Sequence, residues 1–114
     1  MAVARHLELL AMPGVVWFHV PNGGLRNNRE AGRFRMMGVK AGVPDIIALK
    51  AGVLYALELK TTTGRPSAEQ TAMMIAMSAA GAECAIAHGL DAALGTLDAW
   101  GLLKGYRPSN RMVS

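Results

Sequence analysis

GVPDIIALKAGVLYALELK, residues 42–60, contains two apolar runs of strand length, 44–50 and 53–60, parted only by Ala51-Gly52. A two-residue joint ending in glycine is short enough for a hairpin loop. If the two runs pair across it, Lys50 faces Val53, Ala48 faces Tyr55, and Asp45 lies opposite Glu58. Strand side chains alternate with period two, so Glu58 and Lys60 share a face. The register therefore gathers two carboxylates and one ammonium on a surface otherwise built from Ile47, Leu49, Leu54 and Ala56.

That arrangement needs a physical reason. Like charges directly opposite one another destabilise a sheet, and charges among apolar neighbours also lose hydration. A bound divalent cation removes the conflict, because hard oxygen ligands suit Mg²⁺ and the carboxylates become an asset. Mg²⁺ keeps several waters, and one of them can attack a phosphodiester while the metal takes up developing charge. Lys60 would then position or deprotonate that water and stabilise the pentavalent transition state. The plainer reading makes Asp45 a turn residue and Glu58–Lys60 a rim salt bridge, which is the commoner case for an isolated E-x-K. Pro-Asp, followed by E-x-K at the end of the next strand in compatible register, shifts the balance to chemistry.

Outward from the hairpin, residues 2–12 (AVARHLELLAM) read as a helix stopped by Pro13-Gly14, and 15–20 (VVWFHV) as a strand ended by Pro21-Asn22-Gly23-Gly24. Asn27 and Glu30 have capping-box spacing for a helix over about 28–37, which Gly32 weakens. After the polar loop 61–65, Ser67-x-x-Gln70 is a capping box opening a helix to about Ala80, with Gly81 as its stop. Residues 83–88 (ECAIAH) read as a short strand, and 90 to about 103 as a closing amphipathic helix with Leu90, Ala93, Leu94, Leu97 and Trp100 along one side. The connection from strand 53–60 through the helix to strand 83–88 is long enough for a parallel crossover, so a mixed sheet flanked by helices follows. The expected organisation is one domain over 1–104, with a loose tail at 105–114.

Composition bounds the rest. With 52% hydrophobic but only 5% aromatic residues, the core must be built from small and aliphatic side chains. No apolar run spans a bilayer or makes a signal peptide, and the one cysteine, Cys84, permits no internal disulfide. A soluble cytoplasmic protein with no membrane contact is expected. The net charge of +4 is modest, but Arg26, Arg29, Arg33, Arg35 and Lys40 place five of the twelve basic residues within 26–40, with Glu30 the only acid among them. Such a cluster attracts phosphate backbones by counterion release. Taken alone it reads better as the solvated face of a helix that keeps the protein soluble.

G-V-P-D-I-I-A-L at 42–49, L-E-L-K at 57–60 and the downstream Ser67-x-x-Gln70 together resemble the PD-(D/E)XK nucleases, specifically the VRR-NUC branch. The resemblance runs from about residue 2 to 88 and implies a restriction-endonuclease-like αβββαβ core in the α/β class. It implies Asp45, Glu58 and the backbone carbonyl of Leu59 as ligands of Mg²⁺ or Mn²⁺, Lys60 as the catalytic lysine, and DNA as substrate. Stand-alone members of this branch act on branched DNA such as four-way (Holliday) junctions as homodimers, which makes a structure-selective endodeoxyribonuclease the leading expectation. It also makes Gln70 a site residue at the mouth of the metal pocket, whereas the capping box alone makes it a helix-terminal partner. Glu8, the only acid in 2–12, is either a solvated helix residue or the first-helix acid that reaches the metal in many relatives of this superfamily. His19 and Asn22, where the first strand ends, could approach the site or the DNA, although His19 reads better as an edge-strand histidine with no ligand role.

Other signals carry no chemistry of their own. His6, His19, His88 and Cys84 lack zinc-ligand spacing, and no G-K-[ST] follows Asn22-Gly23-Gly24. Met73, Met74 and Met77 read as core packing against the sheet, and Thr61–Thr63 as loop. Two other functions compete with the first: a DNA-binding module that keeps the nuclease fold within a larger complex, and a nuclease on RNA or linear DNA.

Overall fold

The computed structural model describes residues 1–21, 38 and 40–106. Its elements are α1 (Ala2–Leu10), β1 (Val16–His19), β2 (Ile46–Lys50), β3 (Val53–Lys60), α2 (Ala68–Ala79), β4 (Glu83–His88) and α3 (Leu90–Ala99). The expected helix over 28–37 lies outside the described residues, as do Asn22, Arg26, Arg29, Arg33 and Arg35. No helix among the described residues is long and apolar enough to cross a membrane.

The four strands form one sheet in the order β1-β2-β3-β4. β1, β2 and β3 pair antiparallel, and β3 pairs parallel with β4, so α2 is the crossover between them. The hairpin register is the expected one, with Lys50 on Val53, Ala48 on Tyr55 and Ile46 on Leu57. Both turn residues have positive φ, 52° at Ala51 and 82° at Gly52. That is the left-handed pair a two-residue hairpin loop requires.

Period two divides the sheet into unlike faces. Ile46, Ala48, Leu57 and Ala87 point into the core, where they meet Val3 and Leu7 of α1 and Ala93, Leu94 and Leu97 of α3. Val3 and Leu7 are one helical turn apart, as a buried stripe demands. The other face carries Ile47, Ala56 and Glu58, all buried, and is joined to α2 through Gln70. Toward its β1 edge this face leaves Val16, Phe18 and Leu49 exposed.

The first and last helices end earlier than expected, for identifiable reasons. The first helix ends at Leu10 because the chain turns extended there and pairs with the C-terminal segment, through Met12 N–H to the Leu102 carbonyl (2.8 Å) and Lys104 N–H to the Leu10 carbonyl (2.8 Å). The last helix ends at Ala99 because Gly101 takes φ 78° and redirects the chain, which lets Leu102 and Leu103 enter the core. Trp100 packs on Tyr55 with ring centroids 5.1 Å apart, while Leu90 stays exposed. Tyr106 also packs against the core. The methionines of α2 are half-buried and outside the core cluster, and α2 has no buried residue. It covers one face as a single outer layer, unlike α1 and α3, which share a core.

Candidate active site

Asp45 is half-buried and stands one residue before β2, behind a fully buried Pro44. Proline has no N–H to give to a ladder, so regular pairing stops at Ile46–Leu57. The carboxylate then takes over the ladder's role: Oδ2 of Asp45 accepts the Leu59 N–H at 2.8 Å. The Asp45 carbonyl accepts the Val20 N–H at 2.7 Å, which ties the residue to the end of β1 as well. N–H and C=O of one strand residue point the same way, so the Leu59 carbonyl also faces the side where Pro44 has no donor.

Glu58 lies opposite, only 2% exposed. Its Oε2 accepts from Gln70 Nε2 at 2.8 Å and from Lys60 Nζ at 3.2 Å. Its Oε1 is buried without a hydrogen-bond partner among the described residues. Burial raises the Glu58 pKa above its ordinary 4.5, and the nearby Asp45 charge pushes the same way; the Lys60 hydrogen bond and charge, with the Asp45 backbone amide nearby, oppose the rise without cancelling it. A buried acceptor left unpaired costs about 1–3 kcal/mol, and more when charged, so this oxygen is an expense that folding alone does not explain.

Gln70 satisfies both of its sequence readings at once. Ser67 Oγ accepts the Gln70 N–H at 3.1 Å and Gln70 Oε1 accepts the Ser67 N–H at 2.8 Å, completing the capping box. With Oε1 committed there, the amide nitrogen is left to face Glu58. Flipping the amide would set its oxygen against the carboxylate, so the network fixes its orientation.

The remaining candidates separate. Glu8 is exposed on α1, whose buried residues belong to the opposite face, and among the described residues no group of three or more His, Cys, Asp and Glu side chains comes together. Glu8 is thus not brought to the pair. His19 is exposed and pairs with Ile46, a core-face position, which puts it on the face away from Glu58. Lys40 is exposed.

Two residues not assigned to the site from sequence stand beside it. His88 is the cross-strand neighbour of Lys60, and its Nδ1 donates to the Thr61 carbonyl at 2.9 Å. A carbonyl only accepts, so that nitrogen carries a proton. The strand pairing of 83–88 with 53–60 was the available signal. Gly42 is the second; it presses against the first turn of α2, between residues too far apart in sequence for spacing to reveal.

Among solved structures, the chain is similar to one described as a VRR_NUC domain protein, with a TM-score of 0.58 and 23% identity over 72% of this chain and 64% of that one. The chain therefore spans less than two thirds of that protein's length. No protein-family profile matches the sequence. No curated protein matches it either. The likeness shows the fold alone: a mixed sheet flanked by helices, in the restriction-endonuclease-like arrangement expected from the sequence.

Proposed function

We propose that this domain is a divalent-metal-dependent endodeoxyribonuclease that cuts branched DNA, four-way junctions among its substrates, and works as a homodimer. The observation that carries the reading is the unpaired, buried Oε1 of Glu58 beside the half-buried Asp45. An uncompensated oxygen next to a second carboxylate suits a hard cation, and the donor set contains only oxygen. Asp45, Glu58 and the Leu59 carbonyl would hold Mg²⁺ or Mn²⁺, without Glu8. When bound, the ion supplies Lewis-acid stabilisation of charge developing on the phosphate.

The chain's own groups divide the remaining work. Lys60, tethered to Glu58 at 3.2 Å, holds the attacking water and counters negative charge on the phosphodiester. Gln70 keeps Glu58 turned so that only Oε2 is occupied by protein donors. Arg26, Arg29, Arg33, Arg35 and Lys40 contact phosphates and set affinity and orientation, not bond breaking. A pure DNA-binding module gains nothing from two apposed carboxylates beside a phosphate.

The test is incubation of the protein with labelled junction, flap, duplex, single-stranded and RNA substrates, with and without Mn²⁺. Cleavage should require the metal and favour the junction. Asp45→Asn and Lys60→Ala should each lower the rate by at least roughly 10²-fold with the circular dichroism spectrum unchanged. Lys60→Ala cutting at the wild-type rate would sink the assignment.

A further inference from the structure

The Gly42 backbone runs against the first turn of α2. A Cβ built on Gly42 would lie against the Glu69 carbonyl oxygen, 2.5 Å from the Glu69 carbonyl carbon and 2.8 Å from the Gln70 nitrogen. All three are backbone atoms and cannot swing aside. Gly42 also has φ 82°, so its conformation favours glycine on a second count. It stands three residues before Asp45, while Gln70, whose amide holds Glu58, belongs to the helical turn it touches. The close approach therefore sets the distance between the segment bearing one carboxylate and the helix that orients the other. Ser67 completes the linkage: its N–H donates to the Gln70 side-chain Oε1, and its Oγ accepts the Gln70 backbone N–H.

We propose that Gly42 and Ser67 are positioning residues that act through Gln70: they dock α2 on the Asp45 segment so that Glu58 Oε2 is held by protein and Oε1 is left for a cation. The inference rests on the metal-dependent reading above. Without Gly42 the first turn of α2 is displaced, the Gln70–Glu58 bond lengthens, and the Glu58 carboxylate is free to rotate. Lys60 alone cannot prevent this, since a single ammonium on a flexible stem fixes no plane.

A companion variant separates docking from backbone strain. Gly52 has the same φ of 82°, but a Cβ there meets nothing within 4 Å. Gly52→Ala therefore carries the conformational penalty of Gly42→Ala without the collision. Two quantities are measured on the full chain: Mn²⁺ affinity by calorimetry without DNA, and the Gln70 side-chain amide resonance in ¹H–¹⁵N spectra. Gly42→Ala should weaken Mn²⁺ binding by roughly 10-fold or more, as removal of an outer hydrogen bond to a metal ligand does, and should move the Gln70 resonance. Gly52→Ala should lower the melting temperature with both quantities at wild-type values. Gly42→Ala indistinguishable from Gly52→Ala in both overturns the inference. If Gly42→Ala does not fold, Ser67→Ala decides: it should shift both readouts in the same direction, with Ser67→Thr restoring them, and no shift overturns the proposal. A wild-type protein that binds no Mn²⁺ would end the metal-dependent reading, while the Gln70 resonance would still judge the docking.

Discussion

Glu58 is a buried carboxylate whose two oxygens live in different surroundings, and its titration should show in stability. Because its folded pKa is raised, the folded state holds that proton more tightly than the unfolded chain does. Stability of the metal-free protein from this group is therefore lowest above the raised folded pKa. It grows as pH falls through that value and levels off below the ordinary 4.5. Glu58→Gln should melt higher than wild type at neutral pH in chelator, and the gap should narrow on acidification toward 4.5. A constant gap across that window would mean the Glu58 charge is not the destabilising feature. Asp45→Asn removes a neighbouring charge that disfavours ionised Glu58, so it should also raise the metal-free melting temperature. Added Mg²⁺ should stabilise wild type more than this variant, by mass action on a site only wild type keeps intact. Equal shifts would place the cation elsewhere.

At the scale of elements, the β2–β3 hairpin was readable because three local signals agreed: strand-length apolar runs, a two-residue joint and period-two alternation. The pairing of Ala48 with Tyr55, and hence the apposition of Asp45 and Glu58, followed from the chain alone. The capping box of α2 was equally local. The link from Gln70 to Glu58 was not, nor was the approach of Gly42 to Glu69, because proximity between distant segments leaves no periodic trace. Helix ends were misread where tertiary pairing intervened, as at Ala11–Leu103. The hairpin also contains a correctable strain. Ala51 has φ 52°, which costs an L-residue with a Cβ about 1–2 kcal/mol. Asn tolerates that region better and Asn-Gly is the favoured pair for such a turn. Ala51→Asn should therefore raise the melting temperature by a few degrees and leave cleavage unchanged, since the register is untouched. A lower melting temperature would show that the turn is held by something other than its backbone preference.

For the whole molecule, the distribution of charge bears most directly on substrate. A formal net charge of +4 on 114 residues is small, yet Arg26, Arg29, Arg33, Arg35 and Lys40 concentrate it just before the segment that carries Asp45. The four arginines lie outside the described residues, so charge and sequence position, not geometry, connect them to the site. Each basic side chain that neutralises a duplex phosphate releases condensed counterions, which steepens the fall of affinity with salt by about 0.9 in the log–log slope. Arg29→Ala with Arg33→Ala should weaken binding to a DNA junction, measured in Ca²⁺ to block turnover. The double variant should also flatten that slope by up to ~0.9 for each phosphate no longer neutralised. Cleavage at saturating enzyme should change much less, because phosphate-binding side chains orient the substrate without touching the reacting bond. A solvated face kept for solubility predicts neither effect. Unchanged affinity together with an unchanged slope would assign the arginines to solubility and require another surface to carry the DNA to Asp45 and Glu58.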